Sequence, residues 1–289
     1  MSEKPNRAWL DKHGRKAMPR PFLKWAGGKT QLLPRIHDRI PKRFKNYHEP
    51  FLGSGAVFFY LLREKRLSHN VHLSDVNETL MDTWTAIRDN VDEVIALLKT
   101  HKNEHDYYYE VRSQDPANLS LNERASRMIF LNRTCYNGLY RENNSGQFNV
   151  PFGRYANPTI CDEVNLRAVS EALQTVELSS RGFDEVADTA SKDDFVYLDP
   201  PYQPRSATAY FTAYHKSGFG EDDQQRLSEV IQEMDKKGVN VMLSNSDTPY
   251  IVALYDECNM TADIVFARRN INRDAKARGK VRELIVRNY

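Results

Sequence analysis

Residues 47–64 read YHEPFLGSGAVFFYLLRE, a short apolar run that passes through a glycine-rich turn into a helix-like stretch. The apolar run covers residues 47–51, and the helical pattern covers residues 56–64. A strand that enters a helix through a G-x-G turn is typical of the nucleotide-binding half of a doubly wound sheet. The stretch therefore predicts an α/β fold with a ligand site beside the turn.

The same alternation of strand-like and helix-like runs continues along the chain. Further strand-like runs lie at residues 71–74, 176–178, 195–198 and 239–243, and helix-like runs at 78–88, 91–99, 121–131, 163–173 and 222–236. Residues 260–266 and 282–286 form two last strand-like runs around a basic loop, which predicts an antiparallel pair at the sheet edge. We expect a Rossmann-like, mostly parallel seven-stranded sheet with one antiparallel edge strand.

The alternation stops after the second strand-like run, and this break defines the predicted domains. Residues 78–165 offer only helices and a polar, asparagine-rich loop. They predict an inserted, mainly helical domain within a sheet domain made of residues 21–77 and 166–289. Residues 1–20 are basic with little apolar periodicity, and we expect an N-terminal arm there.

Composition narrows the class of protein without choosing its partner. The chain has 289 residues and a formal net charge of +2, a balance that many soluble enzymes share. Cys135, Cys161 and Cys258 are far apart and in no metal-ligand spacing, so we expect free thiols, a reducing compartment and no metal site. No apolar run is long enough to span a bilayer, so the sequence predicts a cytosolic protein without a membrane partner.

The motif Asp199-Pro200-Pro201-Tyr202 follows directly after the strand-like run at residues 195–198. Ligands of such sheets collect at the carboxyl ends of the strands, and two prolines stiffen this turn. A stiff loop with no further role is the simple alternative. The turn also presents an ionised carboxylate at Asp199 and a main-chain carbonyl at Pro200, and both groups accept hydrogen bonds.

Two such acceptors suit an exocyclic amino group like N6 of adenine. Its lone pair is delocalised into the ring, so this nitrogen attacks a methyl sulfonium poorly unless its N–H groups are held. A base inside a duplex must first rotate out and stack on a flat surface, which fits Tyr202. We therefore predict Asp199, Pro200, Pro201 and Tyr202 as the catalytic residues.

The turn at residues 49–55 could hold a nucleotide-like cofactor, because glycines let backbone amides approach a ligand. Glu49, Phe51, Gly53 and Gly55 belong to it, and Asp75 stands where a ribose-binding acid is expected. A G-x-G turn is also common as a mere tight connection, which is the alternative.

A second glycine-rich stretch, Lys24-Trp25-Ala26-Gly27-Gly28-Lys29-Thr30, invites comparison with a phosphate-binding loop. That motif requires glycine at position 23, where this chain has leucine, so the nucleotide-hydrolase interpretation fails. What remains is a flat ring at Trp25 and a cation at Lys29, which could pack on and pair with a cofactor. A buried tryptophan beside a capped helix is the alternative.

A basic and aromatic segment predicts contacts with nucleic acid. It contains Arg133, Tyr136, Asn137, Leu139 and Arg141, followed by QFNVPFGRY at residues 147–155. Arginine can pair with guanine and asparagine with adenine, while an aromatic or apolar side chain can enter a base step. A second basic run that includes Arg268 and Arg269 fits phosphate neutralisation. Either segment could instead be a solvated loop.

Together these motifs resemble the DNA adenine methylase family of the Dam type. The matching stretches are FLKWAGGK, EPFLGSGAVFF, SDVN, NRTCYNGLYR, QFNVPFGRY, DPPY and VMLSNS, in the family's order between residues 21 and 289. The resemblance implies a class I methyltransferase fold, S-adenosylmethionine as cofactor and double-stranded DNA as partner. It further implies adenine N6 in GATC as the target, and we expect a monomer on the DNA.

Individual roles follow from the same resemblance. Trp25, Lys29, Asp75 and Asp199 match cofactor-binding positions of the family. The family's base-reading positions match Lys24, Arg141, Tyr136, Asn137 and Leu139, with Pro151 and Tyr155 nearby. The resemblance does not cover the N-terminal arm, and the loop at residues 270–279 has no secure match.

Several rival activities stay open. Methylation of RNA adenine, cytosine N4 or a protein amide is the nearest, although DPPY favours adenine by resemblance. Cytosine C5 methylation would need a cysteine after a proline, and none of the three cysteines follows one. A DNA-binding module with an inactive site is a further alternative, against which stands the complete set of expected catalytic residues.

Overall fold

The computed structural model describes residues 17–143, 145–203, 219–258, 260–268 and 280–289. Two compact units divide the chain. The helical unit comprises the described residues of Met1–Ala26, Asn77–Asn143 and Gln147–Leu178, and the sheet unit comprises those of Gly27–Val76, Asn144–Gly146 and Ser179–Tyr289. Within the described ranges, no helix combines the length and the apolar character that crossing a membrane requires.

Seven strands form one sheet in the order β3-β2-β1-β4-β5-β7-β6. Their bounds are β1 Tyr47–Glu49, β2 Val71–Asp75, β3 Val176–Ser180, β4 Phe195–Leu198, β5 Asn240–Ser246, β6 Thr261–Arg268 and β7 Lys280–Arg287. Strand β1 runs parallel to β2 and β4, and β4 runs parallel to β5. Strand β7 is antiparallel to both of its neighbours, β5 and β6. The predicted α/β class and the mostly parallel seven-stranded sheet are confirmed.

The reversed strand β7 lies between β5 and β6, and burial explains this order. Leu284, Ile285 and Val286 of β7 are all buried, because helices and neighbouring strands enclose the middle of a sheet. On β6, by contrast, Ile264 and Phe266 remain 48% and 58% exposed. The strand with the continuous apolar run therefore lies inside the sheet, and the alternating strand forms its edge.

The described helices match the predicted ones closely and add several that the sequence pattern did not indicate. Their bounds are α1 Leu33–His37, α2 Ala56–Arg63, α3 Glu78–Asp89, α4 Val91–Leu98, α5 His105–Ser113, α6 Leu121–Thr134, α7 Glu163–Leu173, α8 Val186–Thr189, α9 Glu221–Lys236 and α10 Pro249–Glu257. Helix α5 was missed because it buries only Tyr108 and Val111, which is too few positions to define a helical stripe.

Side-chain caps fix where two helices of the helical unit begin. The Asn77 side chain accepts a hydrogen bond from the Leu80 amide at the start of α3. At α6, Ser120 and Glu123 form a reciprocal capping box that satisfies two backbone donors. Helix α6 then packs against α3 and α4, with Trp84 and Phe130 fully buried in this core.

The core of the sheet unit forms where β4 and β5 meet α9. Val196 and Leu198 of β4 are fully buried in one cluster with Leu227 and Ile231 of α9. A strand that is buried on both faces has a continuous apolar sequence. For this reason the apolar run at residues 195–198 predicts β4 with its observed bounds.

Strand register decides which polar residues meet at the carboxyl edge of this sheet. Leu198 of β4 pairs with Leu243 of β5, so Asp199 and Ser244, the next residue of each strand, emerge side by side. Glu49 ends β1 and Asp75 ends β2 on the same edge. Parallel strands thus bring residues that are far apart in sequence to one place.

Candidate active site and nucleic-acid interface

The centre of the sheet unit's polar edge is an ion pair between Lys29 and Asp199. Lys29 Nζ lies 2.6 Å from Asp199 Oδ1, and both side chains are largely buried, with exposed fractions of 6% and 18%. The Ser244 hydroxyl donates to the same Oδ1 at 3.0 Å. The hydroxyls of Ser244 and Tyr197 lie 2.8 Å apart, which extends the network into β4. Asp199 is therefore held through one of its two oxygens.

The surroundings of Asp199 have opposite effects on the pKa of its carboxyl group. Burial raises the pKa of the Asp199 carboxyl, while the Lys29 ammonium and the Ser244 hydroxyl lower it in part. Lys29 Nζ also lies 4.7 Å from the centre of the Tyr202 ring, a cation–π distance. The Tyr202 hydroxyl donates to Glu283 on β7 at 2.9 Å. Tyr202 is thus fixed at its ring and at its hydroxyl.

The glycine-rich turn after β1 is tied to the end of β2. Gly53 and Gly55 have φ angles of +49° and +65°, which glycine adopts at no steric cost. The Gly53 amide donates to Asp75 Oδ2 at 3.0 Å, and the Leu52 amide donates to the Ser74 carbonyl. Asp75, predicted as a ribose-binding acid, thus also orders the turn. Phe51 packs on Phe183, with ring centres 5.5 Å apart.

Glu49 caps helix α2 from the strand that precedes it. Gly55, the N-cap residue, has no side chain, and Glu49 Oε2 accepts the Phe58 amide at 3.0 Å instead. The same oxygen accepts the Tyr47 hydroxyl at 2.7 Å. Burial of Glu49, which is 3% exposed, raises the pKa of its carboxyl to about 8. Near neutral pH this group is therefore mainly protonated.

In the helical unit, the buried Asn132 holds the backbone of Lys24. Its side chain accepts from the Lys24 amide at 2.8 Å and donates to the Lys24 carbonyl at 2.7 Å, as a neighbouring strand would. Gly138 has a φ of +63°, and a Cβ there would lie 2.3 Å from Lys24 Cδ. The Lys24 ammonium itself lies 4.9 Å from the centre of the Tyr155 ring. Trp25 stacks on Tyr140 at 5.1 Å.

The segment after α6 presents its predicted DNA-contacting residues on a short, rigid loop. Tyr136 is 54% exposed, and its amide donates to the Pro151 carbonyl at 2.8 Å. Asn137 adopts a φ of +56°, the left-handed region that asparagine tolerates better than most residues. Leu139 follows in extended conformation and is half-buried. An aromatic ring is thus held out towards solvent.

Two arginines of the predicted DNA-binding set have different surroundings. Arg141 is exposed, and its guanidinium donates from Nε to Asn149 Oδ1 at 2.6 Å and from Nη2 to the Asn149 carbonyl at 3.3 Å. Arg133 is half-buried and donates to the Phe22 carbonyl at 2.7 Å, and burial lowers its pKa. Arg133 therefore carries a structural contact, whereas Arg141 is presented at the surface.

The second basic run lies mostly outside the described residues, and so do Arg269 and the side chain of Arg268.

Metal ligands are a separate question. Across the described ranges, no group of three or more His, Cys, Asp or Glu side chains is arranged to hold a metal ion.

Four polar residues around the DPPY turn were not predicted as site residues from the sequence. Ser244, Asn245, Gln224 and Glu283 contact this turn or one another at hydrogen-bond distance. One signal was available: a buried strand that ends in the polar run Ser244-Asn245-Ser246 places polar groups at the carboxyl edge. Gln224 and Glu283 offered no such signal, because they reach the turn only through tertiary packing.

Known proteins are similar to this chain over most of its length. Residues 25–270 match the family described as D12 class N6 adenine-specific DNA methyltransferase. The type II methyltransferase M.MjaIII of Methanocaldococcus jannaschii is 42% identical, covering 93% of this chain and 99% of the relative. The type II methyltransferase M1.LlaDCHI of Lactococcus lactis subsp. cremoris is 41% identical, covering 93% of this chain and 95% of the relative. A DNA adenine methylase of Haemophilus influenzae is 34% identical, covering 92% of this chain and 93% of the relative.

A sheet of this order, with acidic residues at the carboxyl ends of its parallel strands, is that of a class I methyltransferase fold. The chain belongs to the D12 class of N6 adenine-specific DNA methyltransferases. The resemblance to the DNA adenine methylase family is therefore confirmed.

The buried Glu49 predicts a defined pH dependence of stability. Its folded pKa of about 8 lies above the ordinary value of 4.5, so the folded state holds a proton that the unfolded state releases between these values. The free energy of unfolding should therefore fall as pH rises from 4.5 to 8, by up to about 1.4 kcal/mol per pH unit. Urea unfolding at pH 5, 6, 7 and 8 measures this slope.

The variant Glu49→Gln should show a shallower slope than the wild type, because its amide cannot titrate. Glu64→Gln, at the exposed end of α2, is the matched control and should keep the wild-type slope. A Glu49→Gln slope equal to that of the wild type would contradict the assignment.

Proposed function

We propose that this protein transfers the methyl group of S-adenosylmethionine to N6 of an adenine rotated out of double-stranded DNA, within GATC. The observation that carries the proposal is the DPPY turn, with its carboxylate held at the carboxyl edge of the sheet by Lys29 and Ser244. The family membership supports adenine N6 as the acceptor atom. Residues 78–165 would act as the target-recognition domain.

The chemical task of the turn is to hold an amino group whose lone pair is delocalised. Lys29 and Ser244 both contact Asp199 Oδ1, and we assign Oδ2 to one N–H of the adenine. The Pro200 carbonyl would accept the other N–H. Two acceptors placed in this way draw the nitrogen towards tetrahedral geometry and direct its lone pair. The ring of Tyr202, fixed by Lys29 and Glu283, offers a surface on which the base can stack.

The residues around the β1 turn fit the proposed cofactor. Gly53 and Gly55 put no side chain between the backbone and a ligand, and Asp75 places a carboxylate at the end of the next strand. Such a carboxylate suits the hydroxyls of a ribose. Lys29, Glu49 and Phe51 complete the set of the sheet unit that we assign to cofactor binding. Trp25 of the helical unit is assigned to the cofactor by the family resemblance alone. When bound, S-adenosylmethionine supplies an electrophilic methyl group on a sulfonium.

The helical unit would supply sequence recognition. Arg141, presented at the surface and oriented by Asn149, is the candidate for bidentate pairing with guanine. The exposed ring of Tyr136 is suited to enter a base step. The remaining base-reading assignments are Lys24, Asn137, Leu139, Pro151 and Tyr155. Arg268 and Arg269 are assigned to the DNA backbone, whereas the contact of Arg133 with the Phe22 carbonyl gives this residue of the predicted DNA-binding set a structural role.

Methylation of a random-sequence duplex with labelled cofactor tests the proposed function directly. We expect label on adenine N6 alone, and GATC around each labelled base. A matched random RNA and a protein mixture, run in parallel, distinguish the rival substrates. Label on cytosine, RNA or protein in place of DNA adenine would reject the proposal, and label at another DNA site would reject GATC.

Replacement of Asp199 by asparagine should abolish most of the methyl transfer. The variant turns one acceptor of the turn into a donor, so the single-turnover rate at saturating cofactor should fall about 100-fold or more while DNA binding persists. Asp193→Asn is the matched control, because Asp193 is exposed and its φ of +71° also tolerates asparagine. Equal rates for the two variants would exclude the proposed role of Asp199.

Removal of the Arg141 guanidinium should relax discrimination at one guanine by about 1–3 kcal/mol. Asn149→Ala should produce part of the same loss, because it removes the side-chain acceptor that orients the guanidinium. Methylation of duplexes substituted at each position of the site measures both effects. Lys102→Ala removes an exposed charge from the same unit and should leave the ratios unchanged. Wild-type ratios in Arg141→Ala would reject base reading by this residue.

A further inference from the structure

The two central residues of the DPPY turn cannot hold it in place through backbone amides. Pro200 and Pro201 have no N–H, so two consecutive residues of the turn donate no backbone hydrogen bond. Their carbonyl groups can still be fixed, but only by donors from elsewhere in the fold. The direction of each carbonyl therefore depends on side chains outside the turn.

Two buried side chains of the sheet unit donate to carbonyl groups in the turn and directly after it. Gln224, in the first turns of α9, donates from Nε2 to the Pro201 carbonyl at 3.0 Å. Ser246, the last residue of β5, donates from Oγ to the Gln203 carbonyl at 2.8 Å. Gln224 is fully buried and Ser246 is 3% exposed, so water does not compete for these hydrogen bonds.

Asn245 joins these two anchors into one directed chain of hydrogen bonds. Its Nδ2 donates to Gln224 Oε1 at 3.0 Å, and its Oδ1 accepts the Ser246 amide at 2.8 Å. We call the chain from Ser246 through Asn245 and Gln224 to Pro201 the amide relay. Asn245, like Gln224, is fully buried.

The polarity of the amide relay is fixed at both ends. The Ser246 amide can only donate, and the Pro201 carbonyl can only accept. The side-chain amides of Asn245 and Gln224 must therefore both direct their NH2 groups along the relay towards Pro201. If either amide were reversed, an oxygen would face an oxygen, or an N–H group would face an N–H group. Such a mismatch leaves buried donors and acceptors unsatisfied, which strongly disfavours the reversed arrangement.

The relay also determines where the neighbouring carbonyl points. A residue that precedes proline is restricted to extended conformations, which applies to Asp199 and to Pro200. In an extended segment, successive carbonyls point in different directions. Because the Pro201 carbonyl is directed at Gln224 on α9, the Pro200 carbonyl is directed elsewhere.

We propose that Gln224 is a positioning residue for methyl transfer, which fixes the DPPY turn through the amide relay and thereby aims the Pro200 carbonyl at the adenine amino group. The inference rests on the proposed function, since it assigns that carbonyl to N6. Gln224 touches neither substrate nor cofactor in this role and acts only through the turn.

The variant Gln224→Glu tests the inference with almost no change of shape. The carboxylate keeps the acceptor for Asn245 and loses the donor for Pro201, so two oxygens then face each other. At pH 8 we expect the single-turnover rate to fall about 10- to 100-fold, with cofactor KM within threefold of the wild type. Gln225→Glu makes the same change at the next, exposed residue of α9 and should leave the rate unchanged.

A pH series separates positioning from damage to the fold. Protonation restores a donor to the glutamate side chain, so the ratio of the Gln224→Glu rate to the wild-type rate should rise as pH falls from 8 to 6. The other ionisable groups of the site are present in both proteins, and the ratio for Gln225→Glu over the same pH range serves as the baseline. The side chain of Gln224→Met has neither a strong donor nor a strong acceptor. We therefore expect this variant to be slow, with a ratio to the wild-type rate that does not depend on pH. Gln224→Met replaces Gln224→Glu if the latter does not fold.

Each outcome has a defined meaning. Rates within twofold of the wild type in Gln224→Glu and Gln224→Met would overturn the inference, and so would a ratio for Gln224→Glu that does not change with pH. If those results appear while Asp199→Asn remains inactive, only the role of Gln224 fails. If Asp199→Asn keeps its activity, the role of the DPPY turn fails and the inference fails with it. If the wild type places no label on adenine N6, the proposed function itself fails.

Discussion

The pairing of Asp199 with Lys29 is the constraint on which the rest of the polar edge depends. Asp199 leaves a strand that is buried along its whole length, so its charge enters a region poor in water. A buried carboxylate that loses its partner destabilises a protein by about 3–5 kcal/mol. The glycine-rich stretch before Lys29, the hydroxyl of Ser244 and the ring of Tyr202 are all arranged around this pair.

Around that pair, the fold fixes a turn that has few backbone donors of its own. Glu283 holds the Tyr202 hydroxyl, Ser246 holds the Gln203 carbonyl, and Gln224 holds the Pro201 carbonyl. These three residues come from β7, β5 and α9. The candidate site is therefore held by strands and a helix of the sheet unit, and not by the two prolines alone.

The sequence predicted the parts of this structure that depend on local pattern. Buried strands such as β4 were evident because a continuous apolar run is bounded by polar residues. Features that need long-range pairing were not evident: Ser244 meets Asp199 only through the register of β4 and β5, and β7 enters between β5 and β6. Arg133 shows the same limit, because no local pattern indicates that its guanidinium contacts the Phe22 carbonyl.

The position of β7 has a consequence for the order in which the chain can fold during synthesis. Strand β6 is made before β7, yet within the described sheet it pairs only with β7. While the ribosome is still translating β7, the edge of β5 is unpaired, and β6 has no strand with which to form hydrogen bonds. The polar edge is completed in the same event, since Glu283 arrives with β7. A nascent chain should thus acquire its sheet core first and complete the candidate site only once β7 has been made.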